Sequence, residues 1–334
     1  ENDPTSQAEL LKLWGSLDHV PSAYGLQMGL SEMPDYDQRL ASLLASTPSV
    51  VSFVPGKSAI DTLRQPDPKI IIASQGSDAR HYTRNFTNWR NSLSQLATMA
   101  KGNGASLPDR VPGSSVRGIP LVVGLGGNLY PSNVLETLRI YRDGSGYRAL
   151  VAEPDNGFAL GMQPGIDRIS IDGTELTALT APDGCLRLYF GGPDTRVTVP
   201  AADLLNRVAD LPSLTGKIVV IGVSANGSDR FFDTPSGERL PSGAIAANAI
   251  DQILQGSFLT TPGWAPLGSQ LFIFVGGVLV ILVVGRYRFR WSFIFTLMLV
   301  GGAAYGSWWA FDTHRWLIDP ALPSATFIIA SFTC

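Results

Sequence analysis

The chain has 334 residues, 45% of them hydrophobic and 16% charged, with a net charge of −3. A pI near 5.6 leaves no basic face for nucleic acid, so that class of partner is excluded. A mean hydropathy of +0.13 is high for a wholly soluble chain and low for a transporter, which points to a globular part joined to a membrane part.

In chain order, the polar start at Glu1 carries no apolar leader, and upstream residues are expected. Ser6 and Glu9 have capping-box spacing ahead of a helix carrying Leu10, Leu11 and Trp14. A second helix is predicted to start near Asp35, with Leu40, Leu43 and Leu44 on one face. SVVSFV (49–54) and KIIIA (69–73) read as buried strands, and 91–100 as a polar helix. IPLVVGL (119–125) reads as one strand, and PSNVLETLRIY (131–141) as a helix with Pro131 at its start. Between them, the glycines of Gly124-Leu125-Gly126-Gly127-Asn128 fall short of a dinucleotide fingerprint and suit a hairpin or loop.

RISIDGTELTAL has Asp172-Gly173 between alternating residues, a hairpin signal because glycine accepts the positive φ of a tight turn. CLRLYFG (185–191) alternates again. A helix over 201–211 leads to KIVVIGV (217–223), a near-continuous apolar run of the kind buried on both faces of a sheet. AIAANAIDQILQG (244–256) reads as a helix ending at Gly256. The pattern predicts an α/β domain over residues 1–263, a mixed sheet flanked by helices in three layers, with a hairpin-rich insertion near 145–190.

The loop after the 217–223 run is where α/β folds place ligands. Ser224, Asn226, Asp229, Arg230, Asp233 and Thr234 are therefore the candidate ligand-binding residues, although loop charges of this kind often only cap and pair locally. Gly222-Val223-Ser224-Ala225-Asn226 has part of a nucleophile elbow, but asparagine stands at the fifth position, where the sharp turn needs glycine. A hydrolase would also need one of His19, His81 and His314. Asn85-Phe86-Thr87 and Asn226-Gly227-Ser228 match glycosylation sequons. Cys185 reads as a small buried hydrophobe, and with Cys334 it makes neither a disulfide framework nor a metal cluster.

Two charge-free runs follow, 267–285 and 292–310, each long enough to cross a bilayer core of about 30 Å. A third apolar run, 318–334, has 14 residues from Ala321 and is read as a span whose end is cut off or just reached. Trp264, Trp291, Trp308, Trp309 and Trp316 sit near the ends of these runs, as in an interfacial belt. Arg286, Arg288 and Arg290 crowd the short first loop, whereas FDTHRWLID has one arginine beside Asp312 and Asp319. Positive side chains mark the cytoplasmic side, so residues 1–263 are placed outside and Cys334 inside. Gly302 and Gly306 have the small-xxx-small spacing of close helix packing, within the bundle or between protomers.

LTGKIVVIGVSANGSDRFFDTPSGERLPSGAIAANAIDQILQG resembles the closing half of the extracytoplasmic CHASE-two sensory domain of bacterial receptors. Gly102-Asn103-Gly104, Pro108-Asp109, Arg117-Gly118-Ile119-Pro120-Leu121 and GSWWAF (306–311) with HRWLIDPALPS are similar to its cyclase members. The chain departs from that pattern at Ser242-Gly243, where glycine follows the family's proline directly, and at Ala246-Ala247-Asn248, where a histidine often opens the last helix. The resemblance implies an N-terminal anchor span ahead of Glu1, three spans over 264–334, and a cytoplasmic output beyond Cys334. It further implies that this output is a class III adenylate cyclase using Mg or Mn and working as a homodimer, in the bacterial inner membrane, under an unknown extracytoplasmic ligand or protein partner. No cofactor and no catalysis are expected within residues 1–334. The alternatives are a histidine-kinase output, an extracytoplasmic hydrolase using Ser224, and a membrane-anchored binding protein with no output.

Overall fold

The computed structural model describes residues 35–56, 69–106, 115–153, 164–191, 197–206, 213–223, 231–286 and 289–333. The helix expected around Leu10–Trp14 lies outside them. Helix α1 (Tyr36–Ser46) begins where Asp35 accepts from the Gln38 N–H, an N-cap that satisfies one of the free amides of the first turn. Its leucines stay largely at the surface, Leu40 and Leu43 both exposed. Strand β1 (Val50–Gly56) follows, then β2 (Ile72–Gln75), β3 (Arg84–Phe86), β4 (Asn88–Arg90), helix α2 (Ser94–Met99) and β5 (Gly102–Ala105). KIIIA is thus only partly a strand, and Ile71 is 81% exposed.

The predicted strand over 119–125 is two strands in two sheets. β6 (Gly118–Pro120) pairs with β12 (Cys185–Arg187), and β7 (Val122–Leu125) pairs with β3 and β8 (Asn128–Pro131). The break falls at Pro120, which has no N–H to continue a ladder. The β7–β8 hairpin turns through Gly126 and Gly127 at φ +54° and +83°, values glycine adopts without strain. Pro131 closes β8, and Ser132 is the N-cap of α3 (Asn133–Tyr141), its hydroxyl accepting from the Leu135 N–H at 3.2 Å.

Strands β9 (Gly146–Ala152), β10 (Gly165–Asp172) and β11 (Thr177–Leu179) complete the largest sheet, in the order β11-β10-β9-β2. Gly173, at φ +82°, opens the predicted β10–β11 turn. Instead of one central sheet in three layers, the described residues form five small sheets of two to four strands. The segment 217–223 carries no strand, and Ile221 is 94% exposed. An apolar run specifies burial, but a ladder needs a strand edge beside it. The neighbour here is the first turn of a helix, met through Gly222 against Gly243.

Helix α4 (Ala201–Leu205) precedes that segment. The hairpin β13 (Phe231–Asp233) and β14 (Arg239–Pro241) follows it and leads into α5 (Ser242–Leu254). Helix α5 buries Ile245, Ala249, Ile250 and Ile253 beside α3 and the largest sheet, and Gly256 at φ +65° ends it.

Three apolar helices complete the chain, α6 (Ala265–Arg286), α7 (Phe289–His314) and α8 (Ala321–Thr333). α6 and α7 have 22 and 26 residues, about 33 and 39 Å at 1.5 Å per residue, enough to cross a bilayer core. α8 has 13 residues, about 20 Å, short of that core. It packs on both others, with Phe327 seated against Gly276 of α6 and edge-on to Phe272 at 5.3 Å.

Candidate functional site

Of the predicted loop residues, Ser224, Asn226, Asp229 and Arg230 lie outside the described residues, while Asp233 and Thr234 lie on the β13–β14 hairpin. Asp233 forms an exposed ion pair with Arg239 across the hairpin, at 3.3 Å. Thr234 is buried and its hydrogen-bonding capacity is used by the turn. Its hydroxyl donates to the Glu238 carbonyl at 2.9 Å, accepts from the Glu238 N–H, and meets the Ser236 hydroxyl at 2.8 Å. These two residues shape a turn. A shallow cleft between Ser106, Pro120, Ser132, Asn133 and Ala246 has room for about one water molecule.

The sequence reasoning missed a buried ionic cluster on α3. Glu136 is 1% exposed and takes a two-pronged bond from Arg139, Nη2 to Oε1 at 2.7 Å and Nε to Oε2 at 3.1 Å. The Tyr147 hydroxyl donates to Glu136 Oε2, and Arg139 Nη1 donates to the Gly144 carbonyl at 3.1 Å. Burial, then the charge of Glu136, pushes the Tyr147 phenol well above its ordinary value, so it remains a donor. Burial opposes the charge on Arg139, but the Glu136 carboxylate outweighs it and the guanidinium sits above its ordinary value. The cluster ties α3 to β9. It holds Gly102 of β5 so close that a Cβ there would lie 2.4 Å from Glu136 Oε1. Its signal was legible, because Glu136 stands among Val134, Leu135 and Leu138 on the apolar face of the helix.

A second cluster joins the head to the membrane helices. Asn248 and Gln252, four residues apart on α5, face the segment 187–189 that continues β12. Gln252 Oε1 accepts from the Tyr189 N–H at 2.9 Å and Nε2 donates to the Arg187 carbonyl at 2.8 Å. Asn248 donates to the Tyr189 carbonyl at 3.2 Å. The Tyr189 ring stands edge-on to Phe311 of α7 at 6.2 Å and lies 4.7 Å under the Arg315 guanidinium. Arg187 donates to the Thr261 hydroxyl at 2.7 Å. Thr260 bridges to Trp316, its N–H on the Arg315 carbonyl and its carbonyl taking the Leu317 N–H. Trp264 meets Trp316 edge-on at 5.6 Å, and His314 stacks on Trp316 at 4.6 Å.

The start of α6, the end of α7 and the head therefore meet at one end of the helices. The end of α6 at Arg286 and the start of α7 at Phe289 lie at the other, about 33 Å away along the 22 residues of α6. Arg286 closes α6, Arg290 is the second residue of α7, and Arg288 lies outside the described residues. Gly302 and Gly306 leave their face of α7 open, since a Cβ at either meets nothing within 4 Å. Cys185 is a buried hydrophobe as expected, its thiol pushed up to about 12 by burial and then by the charge of Asp183. Cys334 lies outside the described residues, and Trp308 and Trp309 lie on α7 near its head end.

Among known proteins, the family model described as the CHASE2 domain matches residues 3–285, most of the chain and nearly all of α6. No curated protein and no solved structure matches the chain.

Proposed function

The chain belongs to the CHASE2 domain family, an extracytoplasmic sensory domain of receptors such as cyclases and kinases, and from that premise we propose that it is the sensory and membrane-spanning half of a bacterial receptor adenylate cyclase. Residues 1–263 are the sensory head, outside the inner membrane; α6 and α7 cross that membrane, and α8, which covers about 20 Å of it within the described residues, is read as a third span running inward toward Cys334. The output beyond Cys334 makes cyclic AMP from ATP with Mg or Mn. The likeness of GSWWAF (306–311) and HRWLIDPALPS (314–324) to the cyclase members favours it over a histidine kinase.

One observation carries this reading. The head is fastened to the ends of α6 and α7 that lie opposite the ends bearing Arg286 and Arg290. Arginine-rich turns stay in the cytoplasm, so a head at the far end lies outside. The open small-residue face at Gly302 and Gly306 supports a homodimer, the arrangement a class III cyclase requires. A signal would act by favouring one arrangement of the head and so of the helices below it.

The test is the sidedness of the head. In a Cys334→Ser background, Glu175→Cys at the exposed β10–β11 turn should react with an impermeant maleimide in intact cells. Labelling only after lysis would sink the reading. The reading frame beyond Cys334 decides the output, and a cyclase domain there is the expected result.

A further inference from the structure

We propose that residues 187–189 are a strap through which α5 of the head positions the outer end of α7, with Arg315 as its latch. The inference rests on the receptor reading and names the contact that reading leaves open. Tyr189 has two sets of partners. Its backbone N–H and carbonyl are held by Gln252 and Asn248, both buried on a helix embedded in the head core, so the residue follows α5. Its ring, which also lies beside Gly191, stands edge-on to Phe311 within α7 and under Arg315 just past the end of α7.

Arg315 is the unusual member. It has φ +56°, in the left-handed slot after the last turn of α7, closed by Arg315 N–H on the Phe311 carbonyl and Trp316 N–H on the Ala310 carbonyl. Glycine is the ordinary residue there, because a side chain is strained in that slot. Glycine would make the same turn but could not reach Tyr189. The arginine places a cation over the ring, a contact that strengthens as water is excluded, and its charge suits the carbonyl end of a helix. The strap runs parallel to the covalent link from α5 to α6. Displacing α5 would thus act on the outer end of α7 directly as well as through that link.

Amide hydrogen exchange on the full chain in lipid nanodiscs tests this. Replacing Tyr189 by leucine should speed exchange at Arg315, Trp316 and Leu317 about tenfold, the scale of one lost cation–π contact, with α6 unchanged. Tyr189→Phe keeps the ring and should exchange as the wild type. The pair Asn248→Ala and Gln252→Ala, which removes the amides that hold 187–189, should give the same acceleration, and Arg315→Gly should abolish that effect of the pair. Wild-type rates at 315–317 in Tyr189→Leu, or acceleration confined to 187–189 in the α5 pair, would overturn the strap. If the α5 pair does not fold, the two Tyr189 variants decide alone. Thiol labelling of the head in cells reads sidedness independently, so a failed strap and a failed receptor reading give different results.

Discussion

The head and the membrane helices use the same apolar side chains in opposite places. In the head, Leu121, Leu135, Leu138 and Ile169 are 0 to 1% exposed, whereas on the helices Leu271, Phe274 and Met298 are 64 to 74% exposed. Water drives the first set inward, and a lipid surround removes that drive for the second. Two buried threonines differ as well. Thr234 of the head is buried with its hydroxyl saturated, while Thr296 of α7 is buried with no hydrogen-bond partner for its Oγ1 among the described residues.

The largest expected effect would test the head side of this contrast. Glu136→Ala leaves Arg139 and Tyr147 facing an empty acceptor and should cost about 3–5 kcal/mol in chemical denaturation. Leu138→Ala should cost about 2–5 kcal/mol, while Leu271→Ala in α6 should cost under about 1 kcal/mol in the same assay. Equal losses for the two leucines would break the comparison. Thr234→Val should cost about 1–3 kcal/mol because its turn loses a donor and an acceptor, and Thr296→Val should be neutral or stabilising. The smallest effect is at the head surface. Asp78 accepts from the Arg80 side chain at 2.7 Å and from its N–H, and these bonds lower its carboxyl to about 2 from 3.8. A lowered folded value means the pair contributes above about pH 4 and fades as pH falls through about 2. Carbon-detected NMR should show that titration, and Arg80→Ala should return it toward 3.8.

The helices at 36–46, 133–141 and 242–254 were legible because caps and spacing are local, as with Asp35 and Gly256. Glycine pairs likewise announced the β7–β8 turn. Strand partners were not legible. Nothing in IPLVVGL says that Pro120 divides it between two sheets, and KIVVIGV carries no mark of the helix turn that takes a strand's place. The loop chosen for its position turned out, at Asp233 and Thr234, to be a self-satisfied turn. The junction was half legible. Asn248 and Gln252 stand out as amides spaced four apart on an apolar helix, but only the fold brings Tyr189 to Arg315.

Phe327 of α8 sits against Gly276, where a Cβ would come within 2.5 Å of the ring. A ring lodged in a notch of that kind sets how far one helix can slide along another, much as a detent sets the stops of a shaft. Gly276→Ala would lift the ring out and rotate or translate α8. The depth at which α8 rests along α6 is thus indexed by the absence of one methyl group.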